Sequence, residues 1–292
     1  MRSIFIGSNG IRAGWRVLIF LALTAAMAMA LRGVVLLFVH PPHHVGVHPL
    51  TPAFGILGDA PVFGVMLIAA YIMSRIERRP MGPYGLPLRG AFGGKFWLGA
   101  LIGFASLGCV LGAIWAAHGM QLGTAPAGNT NLLAAGSVFL VSFLAVGFAE
   151  EYLFRGYIQS TLTQGIGFWP SALIMSALFA LAHVSDSGES AGGIAQVAVF
   201  ALVFCYILRV TGNLWFAVGY HMAWDWGETF FYGVPDSGQL ASVSWLHSTF
   251  SGPVWLTGGS AGPEGSLLTT AALLLLVPVV TLLYRRTIVP ML

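Results

Sequence analysis

Residues 132–148 run for seventeen positions without a charged side chain, and two adjacent carboxylates, Glu150 and Glu151, follow almost at once. An uncharged run of this length reads as a helix that crosses a membrane or lies wholly buried. In lipid, a single spanning segment can satisfy its own backbone hydrogen bonds only as a helix. An ionised side chain at membrane depth costs several kcal/mol, so charges there face a protein interior and usually carry function. The helix expected here continues through Ala149-Glu150-Glu151-Tyr152-Leu153-Phe154-Arg155-Gly156. It puts Glu151 and Arg155 four apart on one face, where they can pair. Glu150 is turned about 100° away from them and is free to meet something else.

The rest of the chain has the same character. Charged residues make up 8% of it, against about 25% in soluble domains, and the mean hydropathy is +0.83. The expectation is an all-α, polytopic integral membrane protein with about eight transmembrane helices. The candidate spans are residues 15–39, 53–73, 96–118, 132–163, 168–183, 191–210, 214–231 and 267–283. The fourth is long because it holds the Glu-Glu stretch, and the fifth is short. Eight spans with a cytoplasmic N-terminus place 12 of the 13 Lys and Arg residues inside, leaving only Arg32 towards the outer end of the first span. That distribution follows the positive-inside rule, puts both termini in the cytoplasm and points to a multi-pass protein of the cell membrane. Seven spans would carry Arg285 and Arg286 to the outer side. The net charge of +3 is therefore a topology signal, and no nucleic-acid partner is expected. Ala28-Met29-Ala30 resembles a leader cleavage site, but the apolar stretch continues past Arg32, so an uncleaved first span is expected.

Several other features have plain readings. The loop of residues 40–48 carries His40, His43, His44 and His48 with two prolines; it is expected to be extended, with no built metal cage. Cys109 and Cys205 lie within apolar runs and are expected to be free thiols. Arg32 and Asp59, in the first two spans, are candidates to pair with each other. Glu228 is expected near the outer interface. The loop of residues 230–266, with Trp245, Phe250 and Trp255, suits a segment lying at the membrane surface.

Three later spans carry polar residues that lipid would exclude. The fourth has Glu150, Glu151 and Arg155. The fifth ends with Phe179 and His183 four apart, and the seventh has His221 and Asp225 four apart. With a rise of about 1.5 Å per residue, straight helices would bring two Glu, two His and one Asp to similar depth. A carboxylate beside imidazoles can polarise a water, with or without a metal, to attack a carbonyl. Imidazole N–H groups can then stabilise the oxyanion. No Ser or Cys pairs obviously with these histidines, and there is no H-E-x-x-H helix.

Glu150-Glu151-x-x-x-Arg155, then Phe179-x-x-x-His183, then His221-x-x-x-Asp225 resembles the three-motif signature of the CAAX-endoprotease and bacteriocin-processing family of intramembrane proteases, the CPBP or Abi group. The resemblance covers residues 132–231, a four-helix catalytic core. Residues 1–131 (spans one to three with a cytoplasmic loop) and 232–292 (outer loop and last span) flank it. The resemblance implies that Glu150 activates the attacking water with His183. It implies that His221 and Asp225 orient the substrate carbonyl and stabilise its oxyanion, and that Glu151, Arg155 and Phe179 support the site. The prenyl-protein-processing branch usually has Asn where this chain has Asp225. An ionised Asp accepts but cannot donate, so Asp225 could instead orient His221 or bind a metal. Glu150, His183, His221 and Asp225 are the candidate ligands of one zinc ion, and whether the water is held by such an ion or by glutamate alone is left open. The implied partners are the lipid bilayer and a peptide or protein substrate, lipidated or not. Two alternatives are a proton-coupled transporter, for which there is no inverted repeat, and a family member that has lost catalysis and acts as an immunity or scaffold protein.

Overall fold

A computed structural model describes residues 2–7, 10–38, 49–124, 131–185 and 191–285. The histidine loop of residues 40–48 lies outside them. The protein is all-α and polytopic, and the helices of ten residues or more among the described residues are α1 (Ala13–Phe38), α2 (Asp59–Glu77), α3 (Gly94–Ala116), α4 (Leu132–Arg155), α5 (Tyr157–Ile166), α6 (Phe168–Ala182), α7 (Ala191–Thr211), α8 (Trp215–Trp226) and α9 (Leu267–Tyr284). Six helical segments among the described residues are long and apolar enough to cross a membrane. The expected fifth and seventh spans are the shorter helices α6, of 15 residues, and α8, of 12.

Two end signals follow from local chemistry. Asn131 caps α4 by accepting from the Ala134 N–H at 3.1 Å, and Ser266 caps α9 by accepting from Leu268 at 3.1 Å. Each satisfies one of the orphan N–H groups of a first turn. The fourth span differs from the single long helix expected from sequence. It breaks at Gly156, where ψ is −114°, and restarts as α5. A side chain at Gly156 would run into the Tyr152 carbonyl and stand 2.8 Å from its ring, so the break requires glycine. The depth of Glu150 consequently cannot be counted along a straight helix from Thr163. It lies five residues before the end of α4, about 7.5 Å by the helix rise.

Helix α8 is the axis of the bundle. Every residue from Trp215 to Asp225 is buried, as expected of a helix surrounded on all sides. It lies against α3 backbone to backbone. Gly99 and Gly103, four apart on α3, face Phe216 and Tyr220, while Gly219 of α8 faces Phe96. A β-carbon at any of the three would collide with a facing carbonyl, the close approach that small residues allow between membrane helices. Gly219→Ala would press a methyl to within 3.1 Å of the Ala100 nitrogen as well. Overpacking of this kind costs about 1–3 kcal/mol or more. The variant is expected to melt several degrees earlier in detergent, and an unchanged melting curve would show that the contact yields.

The other elements brace this axis from both ends. At one end Glu77 of α2 accepts from Arg16 of α1 and from the Tyr157 hydroxyl of α5, joining three helices through one carboxylate. This is the ion pair between the first two spans. Arg32, expected to pair with Asp59, is exposed, while Asp59 lines an internal cavity elsewhere. At the other end the loop after α8 is folded onto the bundle. Thr249–Phe250 pairs with Met120–Gln121, and Leu50 exchanges backbone hydrogen bonds with the segment Leu240–Ser242. Trp245 and Trp255 are exposed, in keeping with a surface position, but the loop between them is built into the fold. Cys109 and Cys205 are free, and the Cys205 thiol donates to Gln159 Oε1 at 3.3 Å.

Candidate active site

The three motifs converge. Glu150 comes from α4, Phe179 and His183 from the end of α6, and His221 and Asp225 from α8. All five line one cavity of about 340 Å³, together with Asp59, Phe200, Tyr220, Asp236 and Glu264. The cavity is of the size that encloses small ligands or a segment of a larger one.

His221 is the centre of the polar network. Its Nδ1 lies 3.1 Å from Glu151 Oε1, and its Nε2 lies 3.3 Å from Asp225 Oδ2 and 3.7 Å from Glu150 Oε2. A carboxylate can only accept, so the Glu151 contact puts a proton on Nδ1. Nε2 is left facing Glu150, Asp225 and the cavity. The contact with Glu151 spans seventy residues and was not foreseen from sequence, which gave Glu151 to Arg155 alone. That pair is present too: Arg155 Nη1 donates to the same Glu151 oxygen at 2.8 Å, and both side chains are fully buried. The guanidinium lies 4.6 Å from the Phe179 ring centre and 5.5 Å from that of Phe204, contacts that offset part of the cost of burying a cation.

Phe179 therefore does more than fill space. Its ring lies against Arg155, and its carbonyl accepts from His183 Nδ1 at 2.8 Å. A carbonyl oxygen also only accepts, which fixes the His183 proton on Nδ1 and leaves Nε2 with its lone pair. Glu150 is the least enclosed of the acids on α4; its side chain is 29% exposed, whereas Glu151 is at 0%. It is the carboxylate of the pair that a water molecule and a substrate can reach.

The four candidate zinc ligands do not gather as a metal cage. Among the described residues, the acidic, His and Cys side chains that bring three ligand atoms within 4.8 Å of one another are Glu228, Asp236 and Glu264. Glu228, expected near the outer interface, is fully buried within the protein, in the wide π turn Gly227–Tyr232 that continues α8. Asp236 accepts from Thr229 Oγ1 at 2.8 Å, and Glu264 accepts from the Ser237 N–H at 3.1 Å and its hydroxyl at 2.8 Å. Burial and then the Glu264 carboxylate push the Asp236 carboxyl up to about 8, with Thr229 pulling the other way. Asp236 and Glu264 do not stand out in the sequence, because each is an isolated acid with no partner at helical spacing, and Asp59 is singled out there only as a partner for Arg32.

Residues 133–227 match the family model described as type II CAAX prenyl endopeptidase Rce1-like. The match covers α4 to α8, the segment that holds all three motifs, and agrees with the resemblance drawn from them. No curated protein and no solved structure matches the chain.

Proposed function

We propose, from a core of the CAAX-endopeptidase kind, that this protein hydrolyses a peptide bond within or beside the membrane, using a water molecule activated by Glu150 and His183. The observation that carries the proposal is the meeting of an accessible carboxylate, Glu150, with two orientated imidazoles on the wall of one membrane cavity. In this reading the His183 Nε2 lone pair and Glu150 hold the water. Glu150 takes its proton as the oxygen attacks the carbonyl and passes it to the leaving amine. With Nδ1–H donating to Glu151, His221 acts here as an imidazolium: its second proton, on Nε2, faces the developing oxyanion, and the Glu151 contact keeps the ring turned towards it. The substrate is a membrane-associated peptide, and the likeness to a CAAX prenyl endopeptidase makes a prenylated C-terminal peptide the first to try. Both termini are placed in the cytoplasm on the distribution of basic residues.

The test is cleavage of a prenylated CAAX peptide and its unprenylated counterpart by purified protein, with and without a chelator selective for zinc. Cleavage that survives the chelator supports water activation by the carboxylate. Loss of cleavage that added zinc restores would replace that part of the mechanism. An intact protein that cleaves neither these nor other hydrophobic peptides would sink the proposal.

Asp225 sets a further expectation. Its Oδ2 lies 3.3 Å from His221 Nε2, and it is nine-tenths buried. An amide at the same place can donate to an oxyanion as well as accept. Asp225→Asn is therefore expected to keep kcat/KM within about tenfold of the parent, while Asp225→Ala loses about 10²–10³-fold, the usual loss on removing one group of an oxyanion site. Equal activity of Asp225→Ala and the parent would remove Asp225 from the mechanism.

A further inference from the structure

We propose that Glu228, Asp236 and Glu264 form a binding site for one divalent cation of the calcium type, separate from the residues assigned to hydrolysis. The first observation is geometric. One oxygen from each carboxylate can be chosen so that all three lie within 4.8 Å of one another. Three oxygens so close need shift by no more than a few tenths of an ångström to touch one ion at about 2.3–2.6 Å, the range typical of calcium ligands.

The second observation is independent of the clustering. Glu228 is at 0% exposure, and neither of its carboxylate oxygens has a hydrogen-bond partner. The Trp224 indole acts on it only from outside hydrogen-bonding geometry. A buried carboxylate without a donor is costly, and here two further acids lie beside it, so that ionising any one raises the cost of ionising the others. An ion bound to all three oxygens removes both costs at once.

The surroundings hold the other two acids in place without using up their donor capacity. Asp236 is fixed through Oδ2 by Thr229, and Glu264 through Oε2 by Ser237, which leaves the second oxygen of each free of those bonds. The turn that carries Asp236 closes on itself through paired backbone bonds between Asp236 and Gln239. Gly262, at φ 97°, keeps space beside the cluster. A side chain there would overlap the Pro235 carbonyl and stand 3.3 Å from Glu228 Oε1.

The donor set selects the ion. Oxygen donors without nitrogen or sulfur favour hard cations over zinc. Magnesium sheds its waters reluctantly and demands near-ideal octahedral geometry, whereas calcium accepts irregular sets of carboxylate and carbonyl oxygens. A site with one wholly buried carboxylate on a helix and two acids from loops suits calcium. Asp236 and Glu264 also line the cavity that holds Glu150 and His221, so the ion would brace the loop that closes one end of it.

The test is made on full-length protein in detergent, stripped with EDTA and then titrated with calcium chloride by calorimetry and thermal melting. Binding of one calcium per chain, with a Kd of about 10⁻³ M or tighter, and a melting temperature that rises with calcium concentration are expected. Magnesium is expected to bind at least tenfold more weakly. Glu228→Gln is expected to weaken calcium binding at least tenfold. In EDTA it should melt no lower than the parent, because it removes one of three crowded acids, the one with no hydrogen-bond partner to lose. Should that variant fail to fold, Glu264→Gln, at a partly exposed position that can still accept from Ser237, makes the same comparison. A parent protein that shows neither calcium heat nor a calcium-dependent melting shift overturns the site. So does a folded variant that binds calcium as tightly as the parent, and magnesium binding as tightly as calcium overturns the choice of ion. None of these readings depends on cleavage, so they stand apart from the fate of the endopeptidase proposal.

Discussion

Glu150→Gln is expected to lower peptide cleavage by about 10²–10⁴-fold and to leave the melting temperature within a few degrees of the parent. The rate loss is that typical of removing a general base. The amide is nearly isosteric, so no space is emptied. Glu150 takes no part in the buried Glu151–Arg155 pair, and its nearest ionic contact, His221 Nε2, is 3.7 Å away. Little folding energy therefore rests on its charge. Cleavage and detergent melting are measured on the same preparation. A variant with full activity, or one that merely melts early, would show that another group is the base.

Glu151→Gln is expected to fail in both respects. One of its oxygens accepts from Arg155 at 2.8 Å and from His221 at 3.1 Å, in a place sealed from solvent. Neutralising it leaves the Arg155 cation unpaired at 1% exposure. Breaking one side of a buried pair costs about 3–5 kcal/mol. The aromatic rings around Arg155 offset only part of that. Stability alone would be the whole effect if Glu151 served Arg155 only, but it also fixes the proton on His221 Nδ1. Loss of such an orienting carboxylate removes the partner that holds the ring and favours its doubly protonated form; loss of the comparable carboxylate in serine proteases costs about 10⁴-fold in kcat. Cleavage is compared at a temperature low enough for the variant to remain folded, where a loss of at least tenfold is expected. A variant that melts like the parent would refute the ion-pair reading. One that melts early but cleaves normally when folded would confine Glu151 to structure.

Much of the site was legible because it is local. Glu151 with Arg155, Phe179 with His183, and His221 with Asp225 each sit four apart, and a helix brings such residues together whatever surrounds it. The apolar runs were equally legible, since membrane-spanning backbone has to satisfy itself. The family match adds that these three pairs occur within one recognised domain. Glycine was the feature most easily passed over: Gly156, Gly99, Gly103 and Gly219 have no side chain to read, yet they set where α4 breaks and how closely α3 meets α8.

Apart from the break at Gly156, the residue order by itself determined where the apolar helices run and the pairs within each of them, because those depend only on neighbours along one segment. The tertiary structure alone decided which helix faces which. It gave Glu151 a second partner in His221, brought Asp59 to the cavity rather than to Arg32, and drew Glu228, Asp236 and Glu264 from a π turn and two loops into one cluster. Contacts of that kind depend on the rotation and depth of whole helices, which are set by the packing of small residues and loops against each other. No spacing along the chain records them.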